Sequence, residues 1–478
     1  MPLFSAAQVQ IGQDIDGLTA GEQSGWSVSL SSDGTIMALG ALTSNANGGS
    51  SGQVRILENQ SGNWVQLGLN INGEGSGDQS GTSVSLSANG DILAIGAPRN
   101  DGNGNDSGHV RIFENQSGDW VQLGNDIDGA GPNNRFGTSV SLSSDGTIVA
   151  VGAPFNSSNA GASGQVRVFE NQAGNWVQIG QDIFGESAGD FSGSVVTLSG
   201  NGNILAIAAA RNDGNGGDSG HVRIFENQSG NWVQVGEDID GEAAGNQSGS
   251  SLSLSDDGNR IAIGATFNNG NGNNSGHTRI FENQNGNWVQ IGLDINGDNP
   301  GDLFGWSVEL SSNGEILASS GPANGASRGY TKVYQEQSGN WIQIGQDIEG
   351  EATNNFSGRS VSLSSDGTEL AIGANRNADN GNDSGHVRVY DLSDIVLSLA
   401  DLLIESKLGL FPNPATNHTT VKFKDAINFE KVNIYNNMGQ YIFSTAETSI
   451  DLSKLQAGIY FLNFEFSQGT VTKKLIKK

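Results

Sequence analysis

The sequence predicts an all-β chain whose residues 1–391 form a seven-bladed β-propeller, followed by a segment of different composition. Three observations lead there. One four-strand pattern recurs seven times: Val28, Val84, Val140, Val196, Leu252 and Val308 stand 56 residues apart, and Val361 follows 53 residues later. Each copy is punctuated by turns rather than helical stretches, with 71 Gly among 478 residues and only 8 Pro. The outer strand missing from the last copy is found at the N-terminus. Tandem units of about 50 residues, each four strands long, are the sequence mark of a propeller.

The second copy shows why each element forms. Ser83-Val84-Ser85-Leu86-Ser87 alternates apolar and polar residues with period two, as a strand with one buried face does. Ala88-Asn89-Gly90 supplies a tight turn. Ile92-Leu93-Ala94-Ile95-Gly96-Ala97 is a continuous apolar run, as in a strand buried on both faces. A polar stretch, Asn100 to Ser107, leads to a third strand from His109 to Glu114 and, after a short hairpin, a fourth from Trp120 to Gln122. That Trp strand recurs at Trp64, Trp120, Trp176, Trp232, Trp288 and Trp341, six times only. Gln8-Val9-Gln10-Ile11-Gly12 is the seventh copy, so residues 8–12 should complete the last blade after Val387-Arg388-Val389-Tyr390. A ring closed this way has no unprotected sheet edge, which suits a chain with only 35% apolar residues.

Composition excludes several functions. With no Cys there is no disulfide framework and no thiol chemistry. The formal charge of −28 argues against nucleic acid or an anionic membrane surface as partner, because both need clustered Lys and Arg. Nine Lys face eight acidic residues from 393 onward, which leaves 14 basic and 43 acidic residues, a charge of −29, in the repeats. No run reaches the roughly 18 apolar residues of a membrane span. The first residues, Met1-Pro2-Leu3-Phe4-Ser5, lack a basic n-region and an apolar h-region, the pattern of a mature or truncated form.

Residues repeated in every unit are expected to be structural. His109, His221, His277 and His386 share one register with Gln53, Gln165 and Tyr330, and a catalytic His does not need four copies. Arg55, Arg111, Arg167, Arg223, Arg279, Lys332 and Arg388 form another register, with Glu three residues on in five units, and read as an ion-pair ladder. The six Trp read as interblade packing. Loops such as Asn100-Asp101-Gly102-Asn103 and Asp126-Ile127-Asp128-Gly129 crowd oxygen ligands at one end, where weak Ca²⁺ is conceivable; no metal ligand and no cofactor is assigned.

Function is expected where the repetition breaks. The register before the first strand's Ser-Val-Ser reads Trp26, Thr82, Thr138, Ser194, Ser250, Trp306 and Arg359, so its three large residues fall in units that are neighbours on a ring. Unit six has also lost three residues around Asn324-Gly325-Ala326-Ser327-Arg328, which should open space beside Trp306. Trp26, Trp306 and Arg359 are therefore the candidate ligand-binding residues, a stacking platform for a sugar or peptide. No catalytic residue is assigned, since nucleophile, zinc-protease and phosphate-loop motifs are missing. The rival reading is a polysaccharide-degrading enzyme that uses loop-face carboxylates, a pair with no local signature.

Phe136-Gly137-Thr138-Ser139-Val140-Ser141-Leu142, ending in Val151-Gly152-Ala153-Pro154, resembles the FG-GAP repeat of integrin α-chain propellers and their bacterial relatives. In that family calcium sits in an Asp-rich loop between the first two strands; here Ser144-Asp145-Gly146 is too short to supply six or more oxygens, so those sites are not carried over. Leu410-Phe411-Pro412-Asn413-Pro414, Asn436-Asn437-Met438-Gly439-Gln440, Ala457-Gly458-Ile459-Tyr460 and the final Lys473-Lys474-Leu475-Ile476-Lys477-Lys478 resemble the C-terminal sorting domain of type IX secretion substrates in Bacteroidota. That resemblance implies a small β-sandwich over residues 410–478 behind a linker at 392–409. It further implies recognition by the type IX secretion machinery through Pro412, Asn413, Pro414, Gly439, Gly458, Tyr460, Lys473 and Lys474. The expectation is a secreted or outer-surface, non-enzymatic binding or adhesion propeller whose glycan or protein ligand is unnamed.

Overall fold

The computed structural model describes residues 8–396, 408–423, 429–436, 440–466 and 469–478. Two compact units divide the chain at Leu392/Ser393. Most of the predicted linker, 397–407, and Gly439 lie outside the described residues.

The strands of the first unit pair antiparallel, with isolated parallel bridges between loops such as Gly52–Ser80 and Gly108–Phe136, and the one helical turn, at Asn324–Ser327, is left-handed at Gly325 and Ala326. Among the described residues this unit contains seven sheets, each a meander such as Ser83–Leu86, Ile92–Ala97, His109–Gln116 and Asp119–Gln122. The apolar run is the buried second strand, with Leu93, Ala94, Ile95 and Ala97 all inaccessible to solvent. One element differs from the expectation. The Asp-Ile-Asp segment read as loop contains a fifth strand, Ile127–Asp128, pairing with His109 and Val110. The third strand is eight residues long and the outer strand covers only its last four, so the remaining backbone groups take the next available partner. Ile127 is thereby buried.

The N-terminal segment joins the last sheet: Val9 and Gln10 pair with Asp391 and Tyr390, and Ile15 and Asp16 with Val387 and His386. The clasp thus reaches Asp16 rather than ending at Gly12. The innermost strands are tied in a cycle. Backbone amides donate from Ser32 to Ala88, Ala88 to Ser144, Ser144 to Gly200, Gly200 to Asp256, Asp256 to Ser312, Ser312 to Ser365 and Ser365 back to Ser32, all at 2.8–2.9 Å. The arrangement is propeller-like.

Apolar cores lie between successive sheets. Val110 and Ile112 of one meet Val140, Val149 and Val151 of the next, with Phe169 closing the outer end. Close approach depends on Gly96, where a Cβ would run into the carbonyl of Gly137. The outer-strand Trp pack between sheets as expected, and two also donate across the gap, Trp176 Nε1 to the Leu123 carbonyl (3.0 Å) and Trp232 Nε1 to that of Ile179 (3.2 Å).

The second unit has a three-stranded and a four-stranded antiparallel sheet around one core that includes Val421, Ile450, Val432, Ile434, Leu462, Phe464 and Leu475. Gly458–Phe466 shows the period-two logic plainly: Tyr460, Leu462, Phe464 and Phe466 are buried and the residues between them are more exposed.

Candidate functional site

The register of Trp26 sits where a loop enters the innermost strand. In three units a hydroxyl there donates to the carbonyl three residues back: Thr82 to Gln79, Thr138 to Arg135 and Ser250 to Gln247, each 2.7 Å. Units six, seven and one place large side chains there instead. The structure brings all three predicted residues together. The Arg359 guanidinium lies 3.8 Å from the centroid of the Trp26 ring and 5.3 Å from that of Trp306. All three remain partly exposed.

Arg359 lies against both indoles, so the site offers a cation held by two rings, each contact contributing about 0.5–2 kcal/mol. Among the described residues this guanidinium has no carboxylate within salt-bridge distance and no hydrogen-bond acceptor. Burial, and then the like charge of Arg376, push its pKa down to about 10, so it is still a cation at neutral pH. The shorter loop of unit six folds into the helical turn, and Arg328 pairs with Glu349 at 2.8 Å.

A wider set of residues surrounds this cation, and sequence reasoning missed it. Gln23, Gln79, Arg135, Phe191, Gln247, Leu303 and Phe356 occupy one register, all left-handed at φ 51–57°. Arg135 stacks over Phe155 (4.3 Å), Phe155 meets Phe191 edge-on (4.8 Å), Arg211 covers Phe191 (5.1 Å) and Arg376 covers Phe356 (4.5 Å). Of the 14 basic residues in the repeats, seven form the repeated register, and Arg260 and Arg328 pair with Glu282 and Glu349. The other five, Arg99, Arg135, Arg211, Arg359 and Arg376, all lie at the end of the sheets where the second strand leaves and the first enters. Only Arg135 among them has an acidic partner among the described residues, Asp106 at 3.9 Å. The available signal was the variability of these two registers from unit to unit.

At the opposite end of the innermost strands is a cavity of about 170 Å³ lined by Ser29, Ser85, Ser141, Ser253 and their register mates. Ser29, Ser85 and Ser141 each accept the amide of a Leu on the next sheet at 3.0 Å. Glu309 replaces the Ser of this register, and Asp256 also lines the cavity. Burial, then the Asp256 charge, push the Glu309 carboxyl up to about 8.

The Arg register is corrected too. Its partner is not the Glu three residues on, because an odd offset places the two on opposite faces of a strand. Arg111 instead donates to the Asn72 carbonyl (2.7 Å), faces Glu74 (3.8 Å) and stacks over Phe113 (5.4 Å), while Glu114 accepts from Gln116. In the polar loops the oxygens serve the turns: Asn100 Oδ1 accepts from Gly102 and Asp101 Oδ1 from Asp106.

In the second unit Asn413 bridges to the last strand, donating to the Lys474 carbonyl (2.7 Å) and accepting from Ile476 (3.0 Å). The Pro412 carbonyl accepts from Thr419, and the Tyr460 hydroxyl donates to the Gln456 carbonyl, both 2.9 Å. Pro414 precedes the buried Ala415, and Gly458 opens the strand that pairs with the one carrying Lys473 and Lys474.

A family model described as FG-GAP repeat matches residues 72–113, and one described as secretion system C-terminal sorting domain matches residues 409–478. No curated protein sequence matches. Among solved structures, a putative 6-phosphogluconolactonase from Bacteroides uniformis aligns with 16% identity and TM-score 0.48 over 68% of this chain and 86% of its own. The structure of U3-55K aligns with 14% identity and TM-score 0.49 over 79% and 98%. One matched segment lies within the repeats and the other is the tail: the chain carries FG-GAP repeat sequence at residues 72–113 and a secretion system C-terminal sorting domain at 409–478, and the latter marks it for export by type IX secretion to the cell surface or the extracellular space.

Proposed function

We propose that the seven sheets act as the blades of one closed propeller, a non-enzymatic binding module that holds an acidic polysaccharide at the end carrying Trp26, Arg359 and Trp306. The observation that carries this reading is Arg359, a partly buried guanidinium held between two indoles with no anion of the protein's own. Arg99, Arg211 and Arg376 add further cations without acidic partners at the same end of an otherwise strongly acidic unit. Guanidinium groups recognise uronate carboxylates or sulfates, and the neighbouring Phe191 and Phe356 rings hold Arg211 and Arg376 in place. The test is affinity electrophoresis in gels containing polygalacturonate, chondroitin sulfate or neutral dextran. The expected result is retardation by an acidic polymer only, weakened at least tenfold by Arg359→Ala and relieved by salt. Equal retardation by dextran, or none by either acidic polymer, refutes the reading.

A second reading is favoured by the unrepeated pair Asp256 and Glu309, the latter protonated near neutrality as a general acid would be. It requires release of reducing ends from a polysaccharide and its loss in Glu309→Gln.

A further inference from the structure

Four of the five His residues of the chain lie at one register of the third strand, buried to 0–2% exposure. Each faces two carboxylates. His386 Nδ1 is 3.5 Å from Asp14 Oδ2 and 3.9 Å from Glu351 Oε2, with Asp379 completing the group. At His277 the distances are 3.9 Å to Asp294 and 3.8 Å to Glu242, and His109 and His221 repeat the pattern at 3.2–4.0 Å. Only His221–Asp238, at 3.2 Å, is within hydrogen-bond reach; the others, at 3.5–4.0 Å, are longer than a normal hydrogen bond. Two atoms each about 2.1 Å from a metal lie roughly 3–3.4 Å apart, so an ion would gather each group by a few tenths of an ångström. The Nδ1 atoms of His277 and His386 are buried, aimed at the carboxylates, and without any hydrogen-bond partner. Buried nitrogens of a purely structural His are normally paired.

The second oxygen of each carboxylate is held elsewhere. Gln10, Gln122, Gln234 and Gln290 donate to Oδ1 of Asp14, Asp126, Asp238 and Asp294 at 2.6–2.8 Å, leaving Oδ2 toward the His. Arg111, Arg223 and Arg388 sit against Oε1 of the Glu, while Oε2 faces the imidazole. Such outer partners orient metal ligands.

The three units without His are the internal control. Where Gln replaces His, the Glu is also gone, to Leu18 for Gln53 and Ala130 for Gln165, and Gln165 itself donates to Asp182 at 2.7 Å. Where Tyr330 replaces it, the facing acids are Asp298 and Asp347, and the Lys332 ammonium lies 2.7 and 3.7 Å from them. So the acids persist as a pair only opposite a His or around a built-in cation.

We propose that each His-Glu-Asp group binds a divalent transition-metal ion of the Zn²⁺ class. One imidazole and two carboxylates are a mixed nitrogen and oxygen set, which favours such ions over Ca²⁺ or Mg²⁺, and the carboxylates are 24–47% exposed, giving the ion a way in. The His386 site has a further consequence: it joins Asp14 of the N-terminal segment to the last sheet, so the ion fastens the clasp.

The experiment is Zn²⁺ titration of full-length, tag-free, chelator-treated protein, with bound metal counted by mass spectrometry and unfolding followed in parallel. Four ions per chain are expected, one for each group. His277→Gln and His386→Gln should each remove one ion, and only His386→Gln should abolish the part of the Zn²⁺-induced rise in melting temperature that comes from the clasp. Gln already stands at this register in Gln53 and Gln165, so the fold accommodates it. His418→Ala, at the exposed His of the second unit, should leave the count at four. No Zn²⁺ bound at micromolar free metal, a count unmoved by both Gln variants, or displacement by equimolar Ca²⁺ overturns the proposal.

Discussion

Replacing Glu309 with Ser restores the residue that Ser29, Ser85, Ser141, Ser253 and Ser362 present at the same register around the cavity. The carboxyl is shifted from its ordinary 4.5 to about 8, chiefly by burial. A group whose folded pKa lies above its unfolded one takes up a proton on folding at any pH between the two. Stability is therefore full below pH 4.5 as far as this group is concerned, and falls as pH rises to about 8. At 1.36 kcal/mol per pKa unit the full shift is worth about 5 kcal/mol; solvent in the cavity reduces this, and about 2–4 kcal/mol is a realistic loss. Glu309→Ser removes the penalty, and the Ser hydroxyl can accept the Leu363 amide as its mates do on other sheets. Urea unfolding of wild type and variant at intervals from pH 5 to 9 measures the difference. The variant should be more stable at pH 8–9, with a gap that narrows toward pH 5. A pH-independent gap, or a variant less stable throughout, would mean that Glu309 is solvated or paired in the folded protein and that the electrostatic argument fails.

Two further substitutions test the architecture. Gly108→Ala should cost more than about 2 kcal/mol in urea unfolding, since φ is +74° and the new Cβ would meet the Phe136 carbonyl; a loss below 0.5 kcal/mol, on the order of a surface change, would show that the loop can move away. Ile15→Ala, in the N-terminal clasp, should cost about 2–4 kcal/mol, like Ile127→Ala at the equivalent place in an interior sheet, because both are buried beside the third strand. If only Ile127→Ala destabilises, the N-terminal segment does not hold the last sheet.

The strands were legible in the sequence because each carries its own physics. Ser-Val-Ser-Leu-Ser alternates, Leu-Ala-Ile-Gly-Ala does not, and seven repetitions average out local ambiguity. The fifth strand was not legible, since Ile127–Asp128 is two residues long, below any periodic signal, and forms only because His109 and Val110 need backbone partners. The Arg ladder was misread for a related reason: spacing along the chain named Glu114, while the pleat turned Arg111 toward Glu74 of the preceding unit.

What the sequence determined by itself is the repeated unit, its turns, the missing outer strand supplied from the N-terminus, and the three residues at which the repetition breaks. Tertiary structure decided what those residues do. Trp26, Trp306 and Arg359 were three positions scattered over 333 residues until adjacent inner strands brought them together, and contact then stacked the cation on both rings. The same holds for the His register. One unit shows a His with no evident purpose; its two carboxylates come from other loops, one of them from the neighbouring unit, and only folding sets them around a shared point. Local periodicity fixes strands because backbone hydrogen bonding and burial act on neighbouring residues, whereas a site is a convergence of distant side chains, which no local spacing encodes.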